Sequence, residues 1–129
     1  GLQVLLAHSE ENGGTDCLGL FQGTVRAFPR DLHDGHGRRL KIPHMGWNSV
    51  HRTRAHPLWN GIAETACFYF VHGYHAAPEE PDVVAGTTDY GRRFCSVLAD
   101  ANLFACQFHP EKSSRDGLRL LKNFVEWSP

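Results

Sequence analysis

Residues 107–113, with the sequence QFHPEKS, constrain the fold of this 129-residue chain more than any other segment. Proline has a fixed φ and pushes the residue before it into an extended conformation, so we expect His109 and Glu111 on one side of a stiff, strand-like stretch. A histidine that acts as a base needs a partner that fixes its tautomer, and a carboxylate does this while stabilising the imidazolium. The segment therefore predicts the base and orienting acid of a catalytic triad, without its nucleophile.

Strand-like segments dominate the chain before this motif. The chain is predicted to begin with the end of a helix at 1–8 and a loop at 9–14. Two short strands are predicted within 18–28, and further strands at 40–42, 47–50, 66–71, 83–88, 93–98 and 103–108. The apolar, aromatic run 66–71 predicts a central strand covered on both faces. A strand that delivers reactive groups just before a helix is typical of the edge of an open α/β sheet. We expect a three-layer α/β fold, although the strand-rich middle alone also allows α+β.

A helix is predicted after the motif. Ser113 and Asp116 have the spacing of a capping box, in which each side chain bonds a free backbone N–H of the first turn. An apolar stripe follows at helical spacing and is expected to pack against the sheet; it consists of Leu118, Leu121, Phe124 and Val125.

The composition excludes several classes of protein. The formal charge of −1 and the pI near 6.8 leave no basic surface for nucleic acid or an anionic membrane. No apolar run approaches the roughly 20 residues of a membrane span, and the first residues lack the features of a signal peptide. These observations predict a soluble, cytoplasmic protein with one domain over residues 1–129.

The cysteines and histidines give weaker signals. We expect four reduced thiols: Cys67 and Cys95 in the core, Cys106 on the strand face opposite His109, and Cys17 as a structural or exposed thiol, since no apolar strand precedes it. The pair at 33 and 36 lies in a charged loop without further ligands, and the histidines at 44, 72 and 75 favour packing or a subunit contact. We therefore expect no metal and no cofactor.

Further motifs rich in glycine, aromatic residues and histidine occur where predicted strands meet loops. They are SEE at 9–11, PHMGWN at 43–48, YFVHGY at 69–74 and TDYG at 88–91. Together with QFHPEKS at 107–113, they resemble class I (triad) glutamine amidotransferases along the whole chain. The His-Pro-Glu element is shared across that class, whereas the motifs at 43–48 and 69–74 resemble the glutaminase subunits of imidazole glycerol phosphate synthase, a complex of histidine biosynthesis.

The resemblance implies a flavodoxin-like amidotransferase fold and a glutaminase activity. Glutamine would be hydrolysed to glutamate and ammonia, and a cyclase subunit, bound as the second half of a heterodimer, would receive the ammonia. His109 would be the catalytic base and Glu111 its orienting partner. The other matched positions imply the substrate-binding residues Gln3, Glu11, Gly73 and Tyr74 and the partner-interface residues Met45, Trp47 and Asn48.

The resemblance also implies that the catalytic cysteine is missing. Gly1 aligns with the glycine two places after that cysteine, so we expect the 129 residues to be the C-terminal part of the domain, without its N-terminal strands and nucleophile elbow, and inactive alone. Two alternatives stay open. One is a class I amidotransferase of another pathway, in which substitution of Trp47 would leave coupling to the cyclase intact. The other is a non-catalytic binding subunit of the same fold, without a nucleophile.

Overall fold

The computed structural model describes residues 2–6, 8–11 and 14–129, and of Val4 only the backbone. The strands are β1 (His8–Ser9), β2 (Thr15–Asp16), β3 (Gly23–Ala27), β4 (His44–Ser49), β5 (His51–Arg52), β6 (Cys67–His72), β7 (Tyr74–Pro78), β8 (Val84–Asp89), β9 (Arg93–Asp100) and β10 (Leu103–Cys106). Helix α1 spans Ser114–Glu126, and 3-10 turns span Leu2–Leu5, Pro57–Trp59, Pro81–Val83 and Pro110–Lys112. No helix in these three ranges is long and apolar enough to cross a membrane.

The strands form two sheets. The larger sheet has the order β2-β1-β3-β7-β9-β8-β5, and β10 also pairs with β9. Its β1–β3 pair is parallel, whereas β3–β7, β7–β9 and β8–β9 are antiparallel. Strands β4 and β6 form a separate antiparallel pair. A mixed sheet that carries a helix confirms the predicted α/β class.

The apolar run that we expected to be a central strand is β6, and its predicted position is wrong. In the part of the chain that the structure describes, β6 pairs only with β4. Its Phe68 and Phe70 are buried, while the backbone of Tyr69 bonds to His109 and Ser113 rather than to another strand. The run is apolar because one face enters the core and the segment after β10 covers part of the strand.

Strand β9 is the buried strand of the larger sheet. Its six interior residues are all buried, and its two faces contribute to two different core clusters. Phe94 and Val97 pack with residues of β6, β8 and α1, whereas Cys95 and Leu98 pack with residues of β3, β7 and the N-terminal turn. A strand buried on both faces therefore holds the two halves of the core together.

Several predicted boundaries differ from the structure. Residues 40–42 and 18–22 contain no strand. The helix end expected at 1–8 is the short turn Leu2–Leu5. Residues 1 and 7 of that prediction, and residues 12 and 13 of the predicted loop, lie outside the described ranges. Strand β7 was not predicted, because alanine and proline have low strand propensity. It nevertheless pairs with both β3 and β9, which shows that its neighbours determine its conformation.

The predicted packing face of α1 is wrong. The side chains of the expected stripe are exposed, from 39% for Leu121 to 83% for Val125. The buried residues of the helix are instead Gly117, Leu120 and Asn123. Asn123 donates hydrogen bonds to the carbonyl oxygens of residues 58 and 60, so a polar side chain rather than an apolar one attaches this face.

This orientation of α1 predicts that the same leucine-to-alanine substitution has a large effect on stability at residue 120 and a small one at residue 118. In the 129-residue chain, Leu120→Ala should lower the free energy of unfolding by about 2–4 kcal/mol, because it opens a cavity in the core. Leu118→Ala should change it by less than about 0.5 kcal/mol, because that side chain is 63% exposed. Urea unfolding of both variants measures the difference, and a larger loss for Leu118→Ala would show that the helix packs by its apolar stripe.

Candidate active site

A cleft of about 510 Å³ lies where the N-terminal turn, the end of β10 and the connection between β6 and β7 meet. The four residues that the resemblance implied as substrate-binding, Gln3, Glu11, Gly73 and Tyr74, all line this cleft together with His109. They come from distant segments of the chain, so the fold brings them together. Their roles in binding stay predictions, but their common location is what such roles require.

His109 and Glu111 form the predicted pair. His109 Nδ1 lies 2.8 Å from Glu111 Oε1, and among the described residues no group forms a hydrogen bond with His109 Nε2. The backbone differs from the expected extended stretch, because only His109 is extended and Pro110–Lys112 form a 3-10 turn. The turn folds the carboxylate back onto the ring.

The electrostatic environment of Glu111 suits an orienting acid. The pKa of the Glu111 carboxyl is lowered, first by its own backbone N–H and then by the hydrogen bond from the His109 ring. An ionised carboxylate can only accept a hydrogen bond, so the proton of a neutral His109 ring lies on Nδ1. Nε2 is then the unprotonated nitrogen. The arrangement can therefore take a proton at Nε2 and stabilise the resulting imidazolium.

Ser113 fixes this turn to β6 instead of capping α1. Its Oγ donates to the carbonyl oxygen of His109 at 2.6 Å and accepts the N–H of Tyr69 at 2.9 Å, while the N–H of His109 donates to the carbonyl of Tyr69 at 3.0 Å. The side chain makes no capping bond to the helix, so the predicted capping box with Asp116 is wrong. The serine is buried, and its hydroxyl satisfies two backbone groups of the active-site turn.

Sequence reasoning did not assign a site role to two polar residues that line the cleft, Gln107 and His72. The side chain of Gln107 is tied to a predicted site residue: Gln3 Nε2 donates to Gln107 Oε1 and to the carbonyl oxygen of Tyr74, both at 2.9 Å. The position of Gln107, a polar residue at the end of a strand and two residues before His109, was a signal that could have identified it.

Cys106 is the cysteine nearest to the candidate site. The prediction that it faces away from His109 is wrong, since both line the cleft; β10 ends at Cys106, so the alternation of a strand does not continue to His109. Burial, together with the negative charge of Glu111, raises the pKa of the Cys106 thiol to about 12. A thiol with such a pKa is protonated at neutral pH and is a poor nucleophile.

The other three cysteines do not line the cleft. Cys95 is buried, as predicted. Cys67 is exposed, so the prediction that it lies in the core is wrong. Cys17 is half-buried beside the carbonyl of Thr15. All four cysteines are free thiols. None of them therefore has the location and the charge environment of a nucleophile for His109.

The residues predicted for a partner interface point to two sides of β4. Met45 and Trp47 are 61% and 54% exposed, so neither side chain is part of the core. Asn48 is half-buried on the other face, where its amide donates to the carbonyl of Asp89 at 2.8 Å. The exposed pair suits a contact surface, whereas Asn48 supports the strand from inside.

Two buried histidines connect β4 to the wall of the cleft. His44 Nδ1 lies 3.0 Å from His72 Nε2, and His72 Nδ1 lies 2.7 Å from the carbonyl oxygen of Tyr74. Asn48 Nδ2 lies 3.4 Å from His44 Nε2. We call this series from Asn48 to the Tyr74 carbonyl the histidine chain. Burial lowers the pKa of both rings to about 4, and each histidine has another imidazole nearby that also opposes protonation.

The neutral rings of the histidine chain predict a loss of stability in acid. Because the unfolded histidines titrate near 6.5 and His44 and His72 titrate near 4 in the fold, the unfolded chain binds more protons between these values. The free energy of unfolding should therefore fall from pH 6.5 to pH 4, by roughly 3 kcal/mol for one ring. Urea unfolding at successive pH values measures this slope. His36→Gln, in an exposed loop, should leave it unchanged, and a constant stability from pH 6.5 to 5 would contradict it.

A larger cavity of about 720 Å³ adjoins the candidate site. It shares Gly73 and Tyr74 with the cleft, and its other wall carries Arg30, Arg39 and Lys41. It contains no pair of a base and an acid, so we place the chemistry in the smaller cleft. In residues 2–6, 8–11 and 14–129, no group of three or more His, Cys, Asp or Glu side chains is placed to hold a metal ion.

The chain is similar to curated proteins over nearly its whole length. Subunit HisH of imidazole glycerol phosphate synthase from Acinetobacter baylyi is 56% identical over 99% of this chain and 60% of its own length. The same subunit from Methylococcus capsulatus is also 56% identical, over 100% of this chain and 60% of its own length. The chain therefore spans about three fifths of the length of these relatives.

The fold has a counterpart among solved structures. A Thermoplasma acidophilum chain described as a GMP synthase component superposes with a TM-score of 0.58, over 81% of this chain and 47% of that one, at 17% identity. At that identity the likeness concerns the fold alone. The sequence model of the family described as glutamine amidotransferase class-I matches residues 17–127, which include β3 to α1 and the His109–Glu111 pair. On that match, the chain belongs to the class-I glutamine amidotransferases.

Proposed function

We propose that the chain provides the base and the substrate-binding wall of a glutaminase, in the glutaminase subunit of imidazole glycerol phosphate synthase. The observation that carries this proposal is the 2.8 Å contact between His109 Nδ1 and Glu111 Oε1 at the edge of the cleft. The HisH relatives, at 56% identity, support the pathway. Such a subunit would work in the cytoplasm.

The proposed reaction is an acyl transfer in two steps. A cysteine thiol gives its proton to His109 Nε2 as its sulfur attacks the amide carbon of glutamine. The tetrahedral intermediate collapses, the C–N bond breaks, and the leaving nitrogen takes the proton from His109 as ammonia. Water then attacks the thioester, again giving a proton to His109, and glutamate leaves as the thiol is restored. Glu111 stabilises the imidazolium in both steps.

The nucleophile in this proposal is not one of the four cysteines of the chain. Cys106 reaches the cleft but has a raised pKa, and the others lie elsewhere. We propose that the sulfur is supplied by sequence beyond these 129 residues, in the same subunit. The complete gene product should release ammonium and glutamate from glutamine, measured with and without the cyclase. Failure to do so in both conditions would favour a non-catalytic binding subunit.

The proposed partner is the cyclase subunit, which would use the ammonia before it is lost to water. An active-site face that docks against the cyclase would serve this transfer, and Met45 and Trp47 offer exposed apolar side chains on β4. The aromatic ring of Trp47 packs edge-on against Tyr69, so it is held in place without being covered. Such a fixed, exposed tryptophan is typical of residues that contribute strongly to an interface.

Trp47→Ala tests the pathway assignment. It should weaken binding of the complete gene product to the cyclase by about 30-fold or more, the equivalent of 2 kcal/mol for a central interface tryptophan. Isothermal titration calorimetry measures the affinity. Ser49→Ala, also exposed on β4, is the matched control and should have little effect. Unchanged affinity and ammonia transfer in Trp47→Ala would show that Trp47 is not in the interface, whereas an unmodified protein that does not bind the cyclase would favour an amidotransferase of another pathway.

A further inference from the structure

The direction of every hydrogen bond in the histidine chain is determined by its two ends. The Tyr74 carbonyl can only accept, so His72 Nδ1 carries a proton and His72 Nε2 accepts from His44 Nδ1. His44 Nε2 is then an acceptor for Asn48 Nδ2. At the other end, the N–H of Ser49 donates to Asn48 Oδ1 at 2.8 Å, which fixes the orientation of the amide. Both rings are therefore neutral and protonated at Nδ1.

The rings have little freedom to adopt another arrangement. His44 is 3% exposed and lies between the rings of Phe70 and Tyr90, with centroid distances of 5.0 and 4.0 Å. His72 is 7% exposed and packs against Phe28 at 5.2 Å. Protonation of either ring would place two N–H groups against each other or an N–H against the Asn48 amide. The packing and the hydrogen bonds therefore favour a single tautomer of each ring.

The end of the histidine chain is a part of the cleft wall. The carbonyl oxygen of Tyr74 accepts from His72 on its buried side and from Gln3 on the cleft side. Gly73 and Tyr74 form the wall at this point, and the Gly73 carbonyl also accepts the N–H of Phe28. The orientation of the Tyr74 peptide group thus depends on the ring of His72, a buried residue that also lines the cleft.

We propose that His72 is a positioning residue for glutamine, which holds the Tyr74 carbonyl in the cleft wall while His44 and Asn48 hold His72 in the tautomer that donates to it. The inference rests on the proposed glutaminase function and deepens it. Both ring nitrogens of His72 are already bonded, one to His44 and one to the Tyr74 carbonyl. His72 acts through the backbone of residues 73 and 74, so it should affect the binding of glutamine more than the rate of its hydrolysis.

Two substitutions of His72 separate the functions of its two nitrogens. In His72→Asn, the amide nitrogen can replace Nδ1 as donor to the Tyr74 carbonyl, but nothing accepts from His44. In His72→Gln, the longer amide can offer an oxygen to His44 in place of Nε2, but the bond to Tyr74 is lost. In the complete gene product, His72→Gln should raise KM for glutamine about tenfold, the equivalent of one hydrogen bond, and His72→Asn only about threefold. The kcat of both should change less than KM.

Equal KM values for the two variants, or a loss confined to kcat, would overturn the proposal if the unmodified protein hydrolyses glutamine. If the unmodified protein does not, the proposed function fails, and nitrogen-15 NMR still tests the histidine chain. Both His44 and His72 should show a protonated Nδ1 and an unprotonated Nε2 at pH 7. An Nε2–H tautomer or a doubly protonated ring at either position would overturn the proposal. His36→Gln is the control for both measurements.

Discussion

His109→Asn is expected to lower the rate of glutamine hydrolysis by about 10²- to 10⁴-fold in the complete gene product, because the reaction loses its general base. The contacts that hold the active-site turn are made by the backbone of residue 109 with Tyr69 and Ser113, so the fold should be retained. Binding to the cyclase should also be retained. Ammonium release under saturating glutamine measures the effect.

The matched control is His36→Asn, which makes the same change in an exposed loop and should leave hydrolysis unchanged. Glu111→Gln is an informative second variant, because it keeps the size of the side chain but removes the charge that supports His109. It should also reduce kcat. Undiminished hydrolysis by His109→Asn would show that another group is the base, even if the cleft binds glutamine.

Gly117→Ala is expected to destabilise the protein although alanine is the better helix former. A Cβ at residue 117 would collide with the carbonyl oxygen of Pro110 and would lie 2.7 Å from Ser113 Cβ. Alanine favours a helix by about 1 kcal/mol over glycine, but overpacking of this kind costs about 1–3 kcal/mol or more. Relief of the collision requires α1 and the turn that carries Glu111 to move apart.

This variant should therefore lose hydrolysis beyond what its stability explains. Urea unfolding gives the change in the free energy of unfolding, and ammonium release at a temperature where the variant is folded gives the change in activity. Gly35→Ala is the matched control, since nothing lies within 4 Å of the Cβ that alanine would add there, and we expect a change within about 0.5 kcal/mol. Wild-type stability and activity in Gly117→Ala would mean that α1 does not press on the turn.

The chemistry of the site was more predictable from sequence than its geometry. The pairing of His109 with Glu111 followed from residue type and spacing, and it is present at 2.8 Å. The expected route to that pairing was different, because a strand places residues i and i+2 on one face and the 3-10 turn brings them together by curvature. Short-range spacing identified the partners without identifying the backbone between them.

Features that depend on distant parts of the chain could not be predicted from local pattern. The buried face of α1 consists of Gly117, Leu120 and Asn123. Which face is buried depends on where the carbonyl groups of residues 58, 60 and 110 lie. Hydrophobicity alone favoured the wrong face. Strand β7 likewise required its neighbours β3 and β9, whose hydrogen bonds outweigh a weak intrinsic preference for strand.

The attachment of Ser113 to Tyr69 limits how far the motif QFHPEKS can be moved or recognised as a unit. The partner that satisfies its final serine lies 44 positions earlier in the chain. A graft of these seven residues onto another scaffold would transfer the imidazole and the carboxylate but not the turn that joins them. A designer who wishes to reuse this dyad must transplant a strand edge as well, placed to offer one N–H and one carbonyl group to residues 113 and 109.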